Sequence, residues 1–151
     1  MRITAKVDYA VRAMCELATH PGSPMRGELI ANAQAIPQSF LENILHELKR
    51  GGLVSTQRGV DGGYRLAKPA DDITVADIIR AVEGPLADVR GARPETLAFD
   101  GAAAPLREVW LAVRANLRAV LEHVTVADIA EGHLPPFIPE LLADPEALRP
   151  H

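Results

Sequence analysis

Cysteine is almost absent from this 151-residue chain, and the single Cys15 can form no intramolecular disulfide and cannot build a zinc or cluster site alone. On the apolar face of a helical stretch it reads as a packing residue. No run of ~18 uninterrupted apolar residues occurs, so no membrane span is expected. The opening MRITAKVDYAVRAM carries charges where the core of a signal peptide is apolar, and the expectation is a cytoplasmic protein without membrane contact. No paired carboxylates, Ser/His/Asp order or phosphate loop points to catalysis. His20, His46, His123, His133 and His151 show no close metal-ligand spacing. An enzyme, a metal site and a cofactor are therefore not expected. The length suits one domain with a real core, or a small domain plus a long dimerisation element.

Positive charge is also scarce in total, with a net charge of −4, which on its face argues against a polyanionic partner. The distribution reverses that reading locally. Residues 1–69 hold nine Lys/Arg against six Asp/Glu, whereas residues 70–151 hold seven against fourteen. The N-terminal half is thus basic and the C-terminal half acidic.

From Thr4 to about His20, Val7, Ala10, Val11, Met14, Leu17 and Ala18 recur at three- and four-residue steps, one face of a helix. His20-Pro-Gly-Ser-Pro breaks it, and Glu28–Gln34 reads as a short second helix. A third opens at Ile36-Pro37 or, on the capping-box spacing of Ser39 and Glu42, slightly later. Phe40, Leu41, Ile44, Leu45 and Leu48 form its apolar stripe. Gln38, Ser39, Glu42, Asn43, His46 and Lys49 face the other way, and Gly51-Gly52 ends it.

Leu53–Thr56 and Tyr64–Ala67 are β-prone runs joined by RGVDGG, whose glycines supply the positive φ a hairpin needs. A helix-turn-helix followed by such a hairpin is the layout of a winged reader of DNA, one rod for the major groove and one cationic finger for the minor groove. On the helix, Gln38 and Asn43 suit adenine, Ser39 several bases, and Glu42 the cytosine amino group. In the hairpin, Arg58 stands at a narrow tip where its guanidinium can enter a minor groove, next to Gly59. Asp61 opposes this with a negative charge.

Beyond the hairpin, Thr74–Glu83 reads as a helix stopped by Gly84-Pro85, and residues 86–104 as a loop or poorly ordered segment. Leu106, Trp110, Val113, Leu117, Val120 and Val124 are spaced at heptad intervals, a seam for a second copy or for the first helix. The string TVADI occurs at 74–78 and at 125–129, each copy placing Thr and Asp to cap a helix. The tail after Gly132 is rich in proline and is expected to be extended or partly disordered.

The strings MRITAKVDYAVRAM, IPQSFLENILHELKRGGLVSTQRGVDGGYRLAK and ITVADIIRAVEG, with the Trp-bearing helix that ends in TVADI, resemble the Rrf family of bacterial winged-helix regulators, the IscR/NsrR/CymR type. The resemblance covers about residues 1 to 130. It implies a mainly α fold with a small β-wing, a winged helix-turn-helix plus a long C-terminal dimerisation helix. It also implies a homodimer on a palindromic double-stranded DNA operator, with contacts from Ser39, Phe40, Glu42 and Arg58 and with Lys6 and Tyr9 near the DNA backbone.

The segments would be a DNA-binding domain at 1–69, a connecting helix at 70–85, a loop at 86–104, a dimerisation helix and cap at 105–131, and a tail at 132–151. Phe40 stands where the family often has tyrosine, Ala35 where a turn glycine is usual, and Val60-Asp61 where the wing is often richer in glycine. Cluster-sensing members resemble one another in carrying three cysteines in the loop before the long helix; here that loop has none. Arg107 stands three residues before Trp110, where one subtype has a histidine ligand. Asp8 occupies the place of a carboxylate ligand in some relatives. The expectation is a cluster-less repressor whose input is an unidentified small molecule, a partner protein, or none. The alternative is a protein-interaction module that regulates a partner enzyme with little or no DNA binding.

Overall fold

A computed structural model describes residues 2–150, so that Met1 of the opening motif and His151, weighed above as a ligand, lie outside the described residues. The first helix, α1 (Ala5–Ala18), starts where the Thr4 hydroxyl accepts the Val7 N–H at 3.2 Å, a side-chain cap for one of the orphan donors of the first turn. Its stripe Val7, Ala10, Ala13, Met14 and Leu17 is buried. Around that stripe pack α2 (Gly27–Gln34), α3 (Gln38–Arg50), α4 (Val75–Glu83) and α6 (Val126–Glu131).

Between α2 and α3 the chain turns through Ala35, whose φ of 51° and ψ of 46° place a non-glycine residue in the left-handed region. That conformation costs an alanine about 1 kcal/mol relative to glycine. Ile36 then drops into the core, with its N–H on the Ala31 carbonyl at 2.9 Å, and Pro37 precedes the first turn of α3. The Ser39–Glu42 start is thus not used. Leu41, Ile44, Leu45 and Leu48 of α3 are buried as expected, but Phe40 is 55% exposed. It lies at the edge of the stripe, one residue ahead of the line that points inward.

Strands β1 (Val54–Gln57) and β2 (Gly63–Leu66) pair antiparallel in the register Val54↔Leu66 to Gln57↔Gly63. A third stretch, invisible to periodicity because it is one residue long, joins them. The Met25 and Tyr64 backbones exchange hydrogen bonds of 2.8 and 2.7 Å, which ties the hairpin to the entrance of α2.

The two copies of TVADI meet in space. Thr74 and Thr125 form an antiparallel bridge in which the Val75 N–H reaches the Val124 carbonyl at 3.0 Å and the Val126 N–H reaches that of Ile73 at 2.9 Å. Each threonine and the aspartate three residues on, Asp77 or Asp128, make a reciprocal capping box. This clasp returns the chain to the core after the long helix, so Val126 is buried beside α1 together with Ile73, Ile78 and Val82.

The long helix, α5 (Leu106–Leu121), contains no buried residue. Its expected seam is corrected at one end. Val124 lies beyond the helix and is buried in this chain's own core, because the Thr125 cap starts a new helix and ends the heptad phase. The 86–104 loop is built of short turns: Val89 and Ala92 exchange hydrogen bonds of 2.9 and 3.0 Å, Pro94 and Leu86 are buried, and 3-10 turns run over Pro94–Thr96 and Gly101–Ala103. The tail also departs from the extended form expected of it. It forms a helix, α7 (Phe137–Leu142), and a 3-10 turn over Pro145–Leu148. Pro135, Pro136, Pro139 and Pro145 sit at or before helix starts or in first turns, where a missing N–H costs nothing, and Pro150 follows the last turn. Among the described residues no helix is long and apolar enough to cross a membrane.

Candidate nucleic-acid interface

The four buried aliphatic residues of α3 fix its rotation about its own axis, and the same phase leaves Gln38, Ser39, Glu42, Asn43 and His46 exposed together. These side chains are short or hydrogen-bonding, the types that read base edges. Lys49, one turn further, donates from Nζ to the Thr56 hydroxyl of β1 at 3.0 Å. The reader helix and the hairpin are therefore joined by a side-chain bond as well as by Gly51-Gly52.

The hairpin tip runs Arg58-Gly59-Val60-Asp61-Gly62, closed by the Gly62 N–H on the Gly59 carbonyl at 3.0 Å. Close approach is what the later two glycines supply, but toward the protein's own backbone. A Cβ on Gly62 would come within 2.3 Å of the Gln57 carbonyl oxygen, and one on Gly63 within 2.3 Å of that of Met25. Only Gly59, at φ 106°, has open space where a side chain would stand. Arg58 is exposed and its side chain makes no hydrogen bond or ion pair among the described residues, leaving its charge unspent. Asp61 is likewise exposed.

Arg26 is a residue that motif reading missed. Its guanidinium donates to the Val60 carbonyl at 2.6 Å and so props the tip from the start of α2. Nothing in the sequence links two positions 34 residues apart.

The N-terminal helix contributes unevenly. Lys6 pairs with Glu47 of α3 at 2.8 Å, so much of its charge is answered inside the protein. Tyr9 is half-buried and meets Phe40 edge-on, ring centroids 6.2 Å apart at 75°, while the Arg12 guanidinium lies 5.0 Å above the Tyr9 ring. Arg12 also donates to the Gln34 carbonyl and pairs with Asp8 at 3.2 Å. The outer face of Phe40 thus extends an aromatic and cationic corner at the first turn of α3. Asp8 is thus engaged with Arg12.

Cys15 sits half-buried in α1, its thiol pushed up to about 11 by burial and then by Glu16, the opposite of a thiolate ligand. Arg107 points its guanidinium at the Glu95 carbonyl at 3.2 Å. Among the described residues no three His, Cys, Asp or Glu side chains come together as a metal site. These residues do not fit a cluster.

On α5 the expected seam residues Leu106, Trp110, Val113, Leu117 and Val120 are half-buried on one helix, whereas Val124 lies off it. Their outer surfaces are left uncovered among the described residues.

Residues 3–132 match the family model Rrf2, described as an iron-dependent transcriptional regulator. The chain is 45% identical over 145 residues to a protein of Mycobacterium tuberculosis (strain H37Rv) that bears the name of an HTH-type transcriptional regulator, covering 95% of this chain and 90% of that one. Among solved structures, the global cysteine regulator CymR of B. subtilis superposes with a TM-score of 0.74 at 34% identity, over 87% of this chain and 98% of CymR. The IscR of T. potens does so with a TM-score of 0.69 at 32% identity, over 100% and 93%. The polar face of α3, the hairpin beside it and these likenesses together make the chain a member of the Rrf2 family of DNA-binding, winged-helix transcriptional regulators.

Proposed function

We propose that the protein is a homodimeric transcriptional repressor that occludes a palindromic operator, works in the cytoplasm without an iron-sulfur cluster and carries no enzymatic activity. The observation that carries this reading is the pairing of an exposed hydrogen-bonding face on α3 with an unpaired Arg58 at the tip of a hairpin tied to that helix. In it, α3 lies in the major groove with Gln38, Ser39, Phe40 and Glu42 nearest the bases. The hairpin reaches the minor groove with Arg58 and Gly59, and Tyr9 and Lys6 lie beside the sugar-phosphate chain. The second copy joins through the seam of α5.

The lack of any buried residue along sixteen residues of amphipathic helix supports dimerisation. A stripe of Leu, Val and Trp left in water forgoes ~25 cal/mol for every Å² it could cover. Two copies joined there present two reader helices, which matches a two-fold operator.

Fluorescence anisotropy on a pool of genomic DNA fragments tests the reading. Submicromolar binding that weakens steeply with salt and with Arg58→Ala is expected. Binding indifferent to both would favour a protein-interaction module instead.

A further inference from the structure

The acidic half of the chain concentrates its cations in one place. Of the seven arginines in residues 70–151, which contain no lysine, four line a single cleft of about 480 Å³: Arg80 from α4, Arg93 from the loop, and Arg114 and Arg118 from α5. Asp88 and Glu95 are the acids of the lining, and Asp77 and Glu122 pair with its arginines from just outside it, so four cations stand against four carboxylates in a segment whose net charge is −7.

Ion pairs hold most of these guanidiniums without exhausting them. Glu122 accepts from both Arg80 and Arg118, the latter from Nε at 2.9 Å, and Glu95 accepts from Nη1 of Arg114. The arginine bonds help hold both carboxyls below the usual carboxylate range; for Glu95 the larger cause is a hydrogen bond from its own backbone. Each guanidinium has five N–H donors, so the pairs set its position and leave several donors free. Arg93 makes no side-chain hydrogen bond or ion pair among the described residues. A fixed set of arginines with spare donors around an unpaired one is suited to a multiply charged oxyanion, which a guanidinium binds in a two-pronged fashion.

We propose that this cleft binds a small, multiply charged oxyanion, a phosphate-bearing or polycarboxylate metabolite of the size a cleft of about 480 Å³ admits. It is a site for the effector of the regulator described above, and it rests on that reading for its consequence and not for the binding itself. The route to the reader helix is short. Arg80 also lines a second cleft with Glu47, Arg50 and Gly51 at the C-terminal end of α3. There α4 packs so closely that a Cβ on Gly51 would come within 2.8 Å of the Ala81 Cβ. An occupant that draws Arg80 toward itself therefore acts on the helix packed directly behind the DNA-facing one.

Thermal unfolding of the full chain with pyrophosphate, and separately with citrate, against potassium chloride of equal ionic strength tests this. A probe that binds raises Tm by about 4 °C at ten times its Kd. Arg93→Ala is expected to weaken its Kd about tenfold and Arg93→Glu to abolish the shift. Arg58→Ala, on the DNA-facing hairpin, leaves the shift intact. A response to pyrophosphate alone identifies a phosphate ligand, and one to citrate alone a carboxylate ligand. No shift with either probe, or an undiminished shift in Arg93→Glu, overturns the proposal. No DNA enters the measurement, so loss of anion binding and loss of DNA binding are scored separately.

Discussion

Helices α3 and α5 are both amphipathic, thirteen and sixteen residues long, yet their apolar stripes have opposite fates. That of α3 is sealed by α1, α2, β1 and α4, with Leu41, Leu45 and Leu48 at 0% exposure. That of α5 meets chiefly the 86–104 loop and α4, and Val109 beside it is 50% exposed. A covered stripe fixes the rotation of its helix, so the polar face of α3 is aimed. An uncovered stripe marks where the chain is completed by something else. In the proposed reading, the first helix is what the protein presents to DNA and the second is where two copies meet.

The contrast can be broken from either side. The largest effect is expected for Leu117→Glu on α5, which puts an uncompensated carboxylate into the proposed interface at a cost of about 3–5 kcal/mol. Sedimentation should show the mass halved while circular dichroism stays unchanged. Leu45→Ala in α3 should do the reverse, lowering unfolding free energy by about 3 kcal/mol in urea titrations with the oligomer preserved up to the transition. If Leu117→Glu unfolded the chain instead, α5 would be part of the monomer core and the contrast would collapse.

Smaller changes sharpen it. Ala35→Gly relieves the left-handed alanine at the turn that sets α3, and a gain of about 0.5–1 kcal/mol in chemical denaturation is expected, with DNA affinity unchanged. The smallest effect concerns Cys15. Burial favours the neutral thiol, so the folded chain releases this proton near pH 11 rather than at the ordinary value of 9.0. Alkylation of the native protein should be slow at pH 8 and rise with pH toward 11. Above the unfolded value, ionisation of the unfolded thiol draws the equilibrium away from the fold, so this group's contribution to stability is present below pH 9 and declines above it.

What could be read in the sequence is what local chemistry dictates. The α3 stripe and both TVADI caps follow from spacings of three or four residues, and the glycine stop and the hairpin from glycines and β-prone runs; each forms as that local chemistry requires. The misreadings come from tertiary context. Phe40 adjoins Leu41 and belongs to the stripe by residue type, but Tyr9 covers only its edge. Val124 continues the heptad spacing of the seam, and spacing alone carries no sign that the helix has ended at Leu121. Proline content suggested an extended tail without distinguishing helix starts from interiors. Within the candidate site, the polar positions of α3 and Arg58 were legible. The prop from Arg26, the Lys6–Glu47 pair and the arginine cleft were not, because each joins segments far apart in the chain.

The central claim is that two α3 helices, joined through α5, read one two-fold site. Hydroxyl-radical footprinting of a DNA fragment selected by the purified protein tests it most directly. The account predicts two symmetric protected patches with centres about 34 Å, or a multiple of that, apart along the duplex, both lost together in Leu117→Glu. A single asymmetric patch at saturation, retained in Leu117→Glu, would contradict it.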